Sequence, residues 1–215
     1  MTSFTMDWDR LARTGTAEAV LCEGKSADQI DSILAEAENR RLLMTRLDPE
    51  VAQSIARPNF DYDPVSRTGL LGEPIDPLTP GAAIVTGGTS DLPVALEAAR
   101  TLAFHGYAAP VIADVGVAGL WRLLDRIDDI RAHRVLIAVA GMEGALFSVL
   151  TGLVSAPVIA VPAPRGYGVG ADGAAALSSA LASCAAGLTV VNIGNGFGAA
   201  CAAIRILRAH PETPD

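Results

Sequence analysis

Residues 134–141, RVLIAVAG, form a short run of Val, Leu, Ile and Ala that ends at a glycine. Continuous rather than alternating apolar residues are typical of strands that are buried on both faces of a sheet. Segments of helical character separate this run from four similar ones: AAIVTGG (82–88), APVIADV (109–115), PVIAVPA (157–163) and TVVNIG (189–194). The sequence therefore predicts a parallel sheet wrapped by helices, which is a doubly wound α/β fold of three layers.

Ligands of such sheets bind beyond the carboxyl ends of the strands, where the strand order reverses. Several glycine-rich or polar segments follow the predicted strands and are candidates for a site there: TGGTSD (86–91), DVGVAG (114–119), AGMEGA (140–145), PAPRGYGVG (162–170) and NIGNGFG (192–198). We expect them to meet at one edge of the sheet.

The first 80 residues have a different composition from the rest and carry most of the charged residues. Short helices are predicted from about Trp8 to Arg13 and from about Ser26 to Leu43, the second with Ser26 as N-cap. Five prolines follow between residues 58 and 80, and proline cannot donate to a helix or a central strand ladder. We predict a small, mainly helical N-terminal domain (1–57), a proline-rich linker (58–80) and the α/β domain (81–215).

The totals exclude several classes of protein. A net charge of −8 over 215 residues offers no cationic face for nucleic acid or for an anionic membrane. Three widely spaced cysteines without a CxxC motif indicate neither a disulfide framework nor a zinc knuckle. No apolar run reaches the roughly 20 residues that span a bilayer, and no signal-peptide core is evident. We expect a soluble, cytoplasmic protein.

The segment TGGTSD opens a predicted helix with glycine, hydroxyl and acid residues. The backbone amides of such a turn can hold a phosphate without a positive side chain, because the helix dipole supplies the field. Equally, Thr89 or Ser90 caps the helix and Asp91 complements its dipole. The residues alone leave both interpretations open.

Two further loops carry charged residues. Glu143 follows a strand among small residues, where a carboxylate can take a proton, bind a cation or simply occupy the first turn of a helix. Arg165 and Tyr167 lie in a glycine-rich connection that suits either a lid over a ligand or an exposed turn.

Cys184 stands among alanines, serines and glycines, directly before the last predicted strand. A free cysteine is usually a small buried apolar residue. It becomes a nucleophile at neutral pH when a helix terminus or a cation favours its thiolate, and the small neighbours here leave room for a planar ligand. Cys201 is predicted to be structural, and Cys22 lies outside the α/β domain.

Four stretches together resemble the LarB family of nickel-pincer nucleotide cofactor biosynthesis: GTSDLPVALEAARTLAFHGY (88–107), DVGVAGLWRLL (114–124), VAGMEGALFSVLTGLVSAPVIAVPAPRGYG (139–168) and LASCAAGLTVVNIGNGFGAA (181–200). RLARTGTAEAVLCEGKS (10–26) and LLMTRL (42–47) resemble the N-terminal region of that family. More distantly, the α/β part is similar to PurE, the aminoimidazole ribonucleotide (AIR) carboxylase or mutase of purine synthesis, which implies a flavodoxin-like sheet.

The resemblance implies a carboxylase and hydrolase. Its substrates would be nicotinic acid adenine dinucleotide and CO2 or bicarbonate. Carboxylation at the 5-position of the pyridinium ring and cleavage of the phosphoanhydride would give pyridinium-3,5-biscarboxylic acid mononucleotide and AMP. The resemblance also implies a homo-octamer without a tightly bound cofactor, and it leaves a requirement for Mg²⁺ open.

The same resemblance assigns roles to individual residues. Cys184 falls on the family's nucleophilic cysteine, which would form a cysteinyl-pyridine adduct, and Glu143 or Asp91 would remove the ring proton. The other predicted contacts with substrate or CO2 are Gly88, Thr89, Ser90, Asp114, Arg122, Gly141, Met142, Gly144, Arg165, Asn192 and Asn195. Gly194 stands where the family has an aspartate, which puts any role of an acid at that position in doubt.

Two other functions are weighed against this one. A PurE-like carboxylase or mutase would act on a purine intermediate, but no counterpart of the catalytic histidine of PurE is evident, since His105, His133 and His210 are predicted at the surface. A nucleotide-binding module without turnover is the other alternative, and Gly194 is the residue that favours it.

Overall fold

The structure, a computed structural model, describes residues 4–209. The chain divides into two compact units after Asp76. Over the described part of the chain, no helix has the length and apolar character that crossing a membrane requires.

The N-terminal unit is built on a four-stranded sheet with the order β1-β2-β4-β3. Its strands are β1 (Ala19–Leu21), β2 (Leu42–Thr45), β3 (Phe60–Asp63) and β4 (Thr68–Leu71), and its helices are α1 (Arg10–Thr14), α2 (Ala27–Ala37) and α3 (Pro49–Ser54). Strands β1 and β2 are parallel, whereas β4 runs antiparallel to both of its neighbours. The apolar face of α2, with Ile30, Ile33 and Leu34, packs into the core of this unit.

The predictions of a mainly helical domain and of a linker over 58–80 were wrong. Helix α2 begins at the predicted N-cap Ser26 but ends at Ala37, and the buried segment 42–45 is a strand. Strands β3 and β4 form a hairpin inside the predicted linker. The prolines do not interrupt this hairpin, because they lie beside the strands at 58 and 64 and beyond them at 74, 77 and 80. Asp63 closes the turn by accepting a hydrogen bond from the backbone N–H of Ser66 (2.8 Å).

The C-terminal unit confirms the predicted doubly wound α/β fold. Its five strands all pair in parallel, in the order β6-β5-β7-β8-β9. They are β5 (Ala82–Thr86), β6 (Val111–Ile112), β7 (Val135–Ala140), β8 (Val158–Pro162) and β9 (Thr189–Val190), each within one of the predicted runs. After β5, the chain forms β6 on one side of β5 and then crosses back to form β7 on the other side of β5. The strand order therefore reverses between β6 and β7.

Helices cover both faces of this sheet. On one face lie α4 (Leu92–Phe104) and α9 (Gly196–Ala209), and on the other lie α5 (Leu120–Leu124), α6 (Ile127–Arg131), α7 (Ala145–Leu153) and α8 (Ala174–Leu181). Strand β7 shows why its apolar residues are continuous: Val135, Ile137 and Val139 pack on the first face, and the alternate residues pack on the second. Both sides of the strand are therefore core.

Candidate active site

A cleft of about 580 Å³ lies at the point where the strand order reverses. Loops that follow four neighbouring strands line it, and the lining residues fall within 87–91 after β5, 116–118 after β6, 140–146 after β7 and 165–167 after β8. The cleft is thus at the edge of the sheet where the topology predicts a ligand. It brings together eight of the predicted site residues: Gly88, Ser90, Asp91, Gly141, Met142, Glu143, Gly144 and Arg165.

The floor of the cleft is made largely of backbone. A side chain at Gly116 would place its Cβ 2.6 Å from the carbonyl oxygen of Gly87, so the loops after β5 and β6 cross at van der Waals contact. At Gly141 a Cβ would lie 2.0 Å from the carbonyl oxygen of Arg165. Glycine is required at both positions because a Cβ fits at neither. These two glycines therefore let neighbouring loops of the cleft approach each other backbone to backbone.

Asp91 is the buried acid of the cleft. It ends the 3₁₀ turn Thr89–Asp91, and its Oδ2 accepts a hydrogen bond from the backbone N–H of Gly88 at 2.9 Å. Burial raises the pKa of this carboxyl, and the hydrogen bond from Gly88 opposes that rise. One amide of the predicted phosphate cradle is therefore occupied by Asp91, and the carboxyl is well suited to accept a proton.

Glu143 and Arg165 bring opposite charges to the same cleft. Glu143 is exposed in the turn before α7, which begins only at Ala145, so the turn and not the helix holds it. Arg165 lies in the connection after β8, whose backbone is tied to the Glu143 turn by a hydrogen bond from Met142 N–H to the Arg165 carbonyl (3.3 Å). Tyr167, which is 78% exposed, completes the same side of the cleft.

Four predicted contact residues have partners elsewhere in the protein. Asp114 and Arg122 form an ion pair with each other (3.1 Å) and do not line the cleft, although the loop between them does. The side chain of Asn195 accepts a hydrogen bond from Gly198 N–H at the start of α9, and that of Asn192 accepts one from Ile193 N–H. Asparagine side chains commonly make such local bonds, which the sequence does not distinguish from ligand binding.

The first amides of α9 do not form an open anion site. Besides the cap from Asn195, the N–H of Phe197 donates to the buried Glu97 of α4 at 2.8 Å. Glu97 therefore has a structural role that the sequence analysis missed, since nothing near it in the sequence indicates a partner 100 residues away.

Cys184 lies outside the cleft. It follows the last turn of α8 and precedes β9, so it is near the start of a strand, whereas the cleft lies beyond the ends of strands. The thiol is exposed, as the prediction of an accessible nucleophile requires. Its preceding neighbour Ser183 is fixed to α7 by a hydrogen bond to Ser148 (2.7 Å). Within one chain, Cys184 precedes β9, whereas the candidate bases Asp91 and Glu143 follow the ends of β5 and β7.

Both parts of the chain match known protein families. Residues 1–73 match the LarB/PurE-like N-terminal domain, and residues 82–213 match the AIR carboxylase family. An uncharacterised protein of Methanocaldococcus jannaschii is 35% identical over 219 residues, which cover 90% of this chain and 80% of the relative.

The chain belongs to the LarB family. Its C-terminal unit resembles a crystal structure of a variant of PurE2 from Treponema denticola, with a TM-score of 0.50 and 23% identity over 62% of this chain and 82% of that one. This likeness confirms the PurE-like fold. The two family matches indicate a carboxylase related to PurE.

A metal site was left open by the sequence. Among residues 4–209, His, Cys, Asp and Glu side chains do not gather in any group of three or more that could hold a metal ion. Asp91 and Glu143 are therefore not members of a preformed group of three metal-binding side chains within residues 4–209.

Proposed function

We propose that the protein carboxylates the pyridinium ring of nicotinic acid adenine dinucleotide at its 5-position and cleaves the phosphoanhydride, giving pyridinium-3,5-biscarboxylic acid mononucleotide and AMP. The observation that carries the proposal is the cleft of this LarB-family chain, in which a buried acid, a second acid and a cation meet over a backbone floor. The membership of the family supports a carboxylase, and the residues of the cleft supply the chemistry below.

The cleft residues suit the two parts of this substrate. The guanidinium of Arg165 meets the negative charge of the diphosphate, and an arginine fork matches phosphate oxygens in pairs. The small residues that line the cleft, among them Gly88, Gly141 and Gly144, would leave room for the flat pyridinium. Asp91, with its pKa raised by burial, is the group best prepared to take the proton that the ring must lose.

The carboxylation needs a nucleophile because the pyridinium carbon is electron-poor and CO2 is an electrophile too. Because Cys184 lies outside the cleft of its own chain, a neighbouring copy in the oligomer that the resemblance implies would supply this thiolate. Its addition at the 4-position forms a C–S bond and moves an electron pair to the ring nitrogen, which makes a neutral dihydropyridine. Its 5-carbon, now the electron-rich end of an enamine, forms the C–C bond to CO2. Loss of the proton from this carbon to the base and departure of the thiolate restore the aromatic pyridinium, so the sulfur is regenerated.

Hydrolysis is a separate step of the same turnover. Water attacks one phosphorus of the diphosphate, the bridging P–O bond breaks, and AMP departs with its phosphate. Arg165 would stabilise the charge that develops on the phosphate oxygens. Glu143, exposed to solvent at the same cleft, is placed to accept the proton of the attacking water.

The AIR carboxylase reaction is the second candidate, because the C-terminal domain matches that family. The positions of the described histidines argue against this reaction. His105 is bonded through Nδ1 to the Thr101 carbonyl and His133 to the Asp129 carbonyl, and neither lines the cleft. His210 lies outside the described residues.

The test incubates the purified protein with nicotinic acid adenine dinucleotide and ¹⁴C-bicarbonate, and follows AMP by chromatography and label in the mononucleotide. We expect both products, with label retained in the ring. A parallel reaction with aminoimidazole ribonucleotide should give no turnover. Turnover of the imidazole substrate alone would replace the proposal by the purine reaction, and binding without products would leave a nucleotide-binding module.

A further inference from the structure

The N-terminal unit has a pocket of its own, with a volume of about 300 Å³, that shares no residue with the cleft. Three short segments form its walls: 38–40 after the end of α2, 57–59 before β3, and 71–73 from the end of β4 onwards. Its volume is at the lower end of the range for sites that bind small molecules. We call it the arginine pocket, because Arg40 and Arg57 both line it. The proposed reaction gives none of its residues a role.

The protein itself holds the walls of the arginine pocket in place. The N–H of Gly72 donates a hydrogen bond to the Asn59 carbonyl at 3.0 Å, and the side-chain amide of Asn59 donates one to Glu73 at 2.6 Å. Glu38 and Asn59 have φ angles of 51° and 57°, in the left-handed region that residues other than glycine seldom adopt. Backbone strain of this kind is concentrated at functional sites. The pocket is therefore a formed site and not a gap between mobile side chains.

The two arginines give this pocket two cations. The guanidinium of Arg40 lies 4.9 Å from the centre of the Trp8 ring, and its Nη1 donates to the Glu36 carbonyl at 3.4 Å. Stacking on the ring leaves the other N–H groups of Arg40 available at the edge of the guanidinium. Arg57 is exposed, and no hydrogen bond or ion pair with another described residue occupies its guanidinium. A carboxylate has oxygens for one such fork, whereas a phosphate has oxygens for both.

The acids of the pocket limit what else a ligand carries. Glu73 already accepts the hydrogen bond from Asn59, so Glu38 is the carboxylate that a ligand would meet. A carboxylate repels a bare anion, but it accepts hydrogen bonds from hydroxyl groups. The ligand that suits both kinds of charge has a phosphate at one end and hydroxyl groups at the other.

From this arrangement we propose that the arginine pocket binds a small phosphate ester with free hydroxyl groups, which is the chemistry that sugar phosphates and nucleoside monophosphates share. Arg40 and Arg57 bind the phosphate, and Glu38 accepts hydrogen bonds from the hydroxyl groups. Asn39 also lines the pocket and can both donate and accept, so it is the residue that would contact the base of a nucleotide. This site does not depend on the proposed carboxylation.

Trp8 is a natural reporter of this pocket. The chain has two tryptophans, so Trp121→Phe leaves Trp8, which stacks on Arg40, as the only one. Titration of this protein with ribose 5-phosphate should change its tryptophan fluorescence to saturation, because a phosphate bound to Arg40 alters the charge over the ring. Adding Arg165→Ala should leave the titration unchanged, which excludes the cleft as the source of the signal. The absence of a saturable change with both ribose 5-phosphate and AMP would overturn the proposal.

Variants of the same protein test both ends of the ligand. Arg57→Ala should raise the Kd for ribose 5-phosphate about tenfold or more, and Arg57→Lys should recover part of the loss. Lys25→Ala removes an exposed charge of the same unit outside the pocket and is the matched control. Glu38→Gln should weaken binding of ribose 5-phosphate but strengthen binding of inorganic phosphate, since the repulsion and the hydroxyl contact are lost together. Equal Kd values for Arg57→Ala and Lys25→Ala, or inorganic phosphate that binds as tightly as the ester, would overturn the proposal.

Comparison of AMP with ribose 5-phosphate distinguishes the two sources of such an ester. A lower Kd for AMP that Asn39→Ala abolishes would assign the arginine pocket to nucleotides, and equal Kd values would assign it to sugar phosphates. Both results support a phosphate-ester site. Carboxylation of the dinucleotide does not enter either measurement, so failure of the proposed function would leave these results standing.

Discussion

The carboxylate of Asp91 accepts a hydrogen bond from the backbone N–H of Gly88, three residues earlier, and is held by it inside the cleft. This bond makes the acid part of the loop, so its position does not depend on a ligand. Burial nevertheless raises its pKa above the ordinary 3.8, which means that this carboxyl binds a proton more readily in the folded protein than in the unfolded chain. The same residue therefore influences both stability and chemistry.

Asp91→Asn should change how stability depends on pH. In the wild type, between pH 3.8 and the raised pKa, the folded state binds more protons at Asp91 than the unfolded state, so its contribution to the free energy of unfolding falls as pH rises. The asparagine keeps an acceptor for Gly88 and does not titrate. Urea unfolding of both proteins from pH 3.5 to 7 should show the variant gaining relative to the wild type as pH increases. A constant difference across this range would contradict the raised pKa.

Cys184→Ser should abolish carboxylation of the ring and leave binding of the dinucleotide nearly unchanged. The oxygen is far less nucleophilic than a thiolate, and the residue is exposed, so stability should move by no more than about 0.5 kcal/mol. Incorporation of ¹⁴C and calorimetric titration measure the two effects. Cys201→Ser is the matched control and should retain activity. Full activity of the Cys184 variant would exclude the thiol adduct.

Arg165→Ala should raise the KM for the dinucleotide by about tenfold or more, since a hydrogen bond to a charged group contributes about 1.5–3 kcal/mol. Arg165→Lys should recover part of the loss, because lysine keeps the charge but not the paired geometry. Steady-state kinetics at two salt concentrations measure this. Arg126→Ala, on the surface of α6 next to Asp129, is the control and should leave KM unchanged. An equal increase in KM for Arg165→Ala and Arg126→Ala would show that Arg165 has no specific role in binding the dinucleotide.

Gly141→Ala should impair activity and lower stability by about 1–3 kcal/mol, because its methyl group would stand 2.0 Å from the Arg165 carbonyl and must push the two loops apart. Gly152→Ala in α7 is a sharp control, since a Cβ there meets nothing within 4 Å. It should raise stability by about 0.5–1 kcal/mol through helix propensity and leave activity unchanged. Thermal unfolding measures the stability of the two variants, and turnover measures their activity. A Gly141→Ala variant with unchanged stability and activity would contradict the close contact between Gly141 and the Arg165 carbonyl.

The α/β unit was predictable because its strands are buried on both faces and therefore stand out as unbroken apolar runs. The N-terminal sheet was not, since Leu42 to Thr45 directly extends a helical pattern and is only four residues long. The loops after β5, β6, β7 and β8 meet at one edge of the sheet, as the order of the strands predicted. For Asn192, Asn195, Asp114 and Arg122 the sequence does not reveal which of many possible hydrogen-bond partners the fold supplies.

Cys184 shows a different limit of sequence reasoning. Its chemistry and its small neighbours are evident from the chain, and the structure leaves it exposed. Which edge of the sheet Cys184 lies nearer to depends on α8 ending at Leu181 and on the two-residue strand β9 that follows. A residue eight positions before the glycine-rich loop 192–198 is easily taken to lie at the same edge as that loop, although β9 runs between them.

The crossing of Gly87 and Gly116 has a consequence for how enzymes of this kind diversify. Where the two main chains touch, Gly116 does not tolerate a side chain, so mutation has little to offer selection at that position. Variation in substrate preference among descendants of this fold should accumulate instead at exposed cleft positions such as Tyr167, whose side chain can change while this crossing is kept.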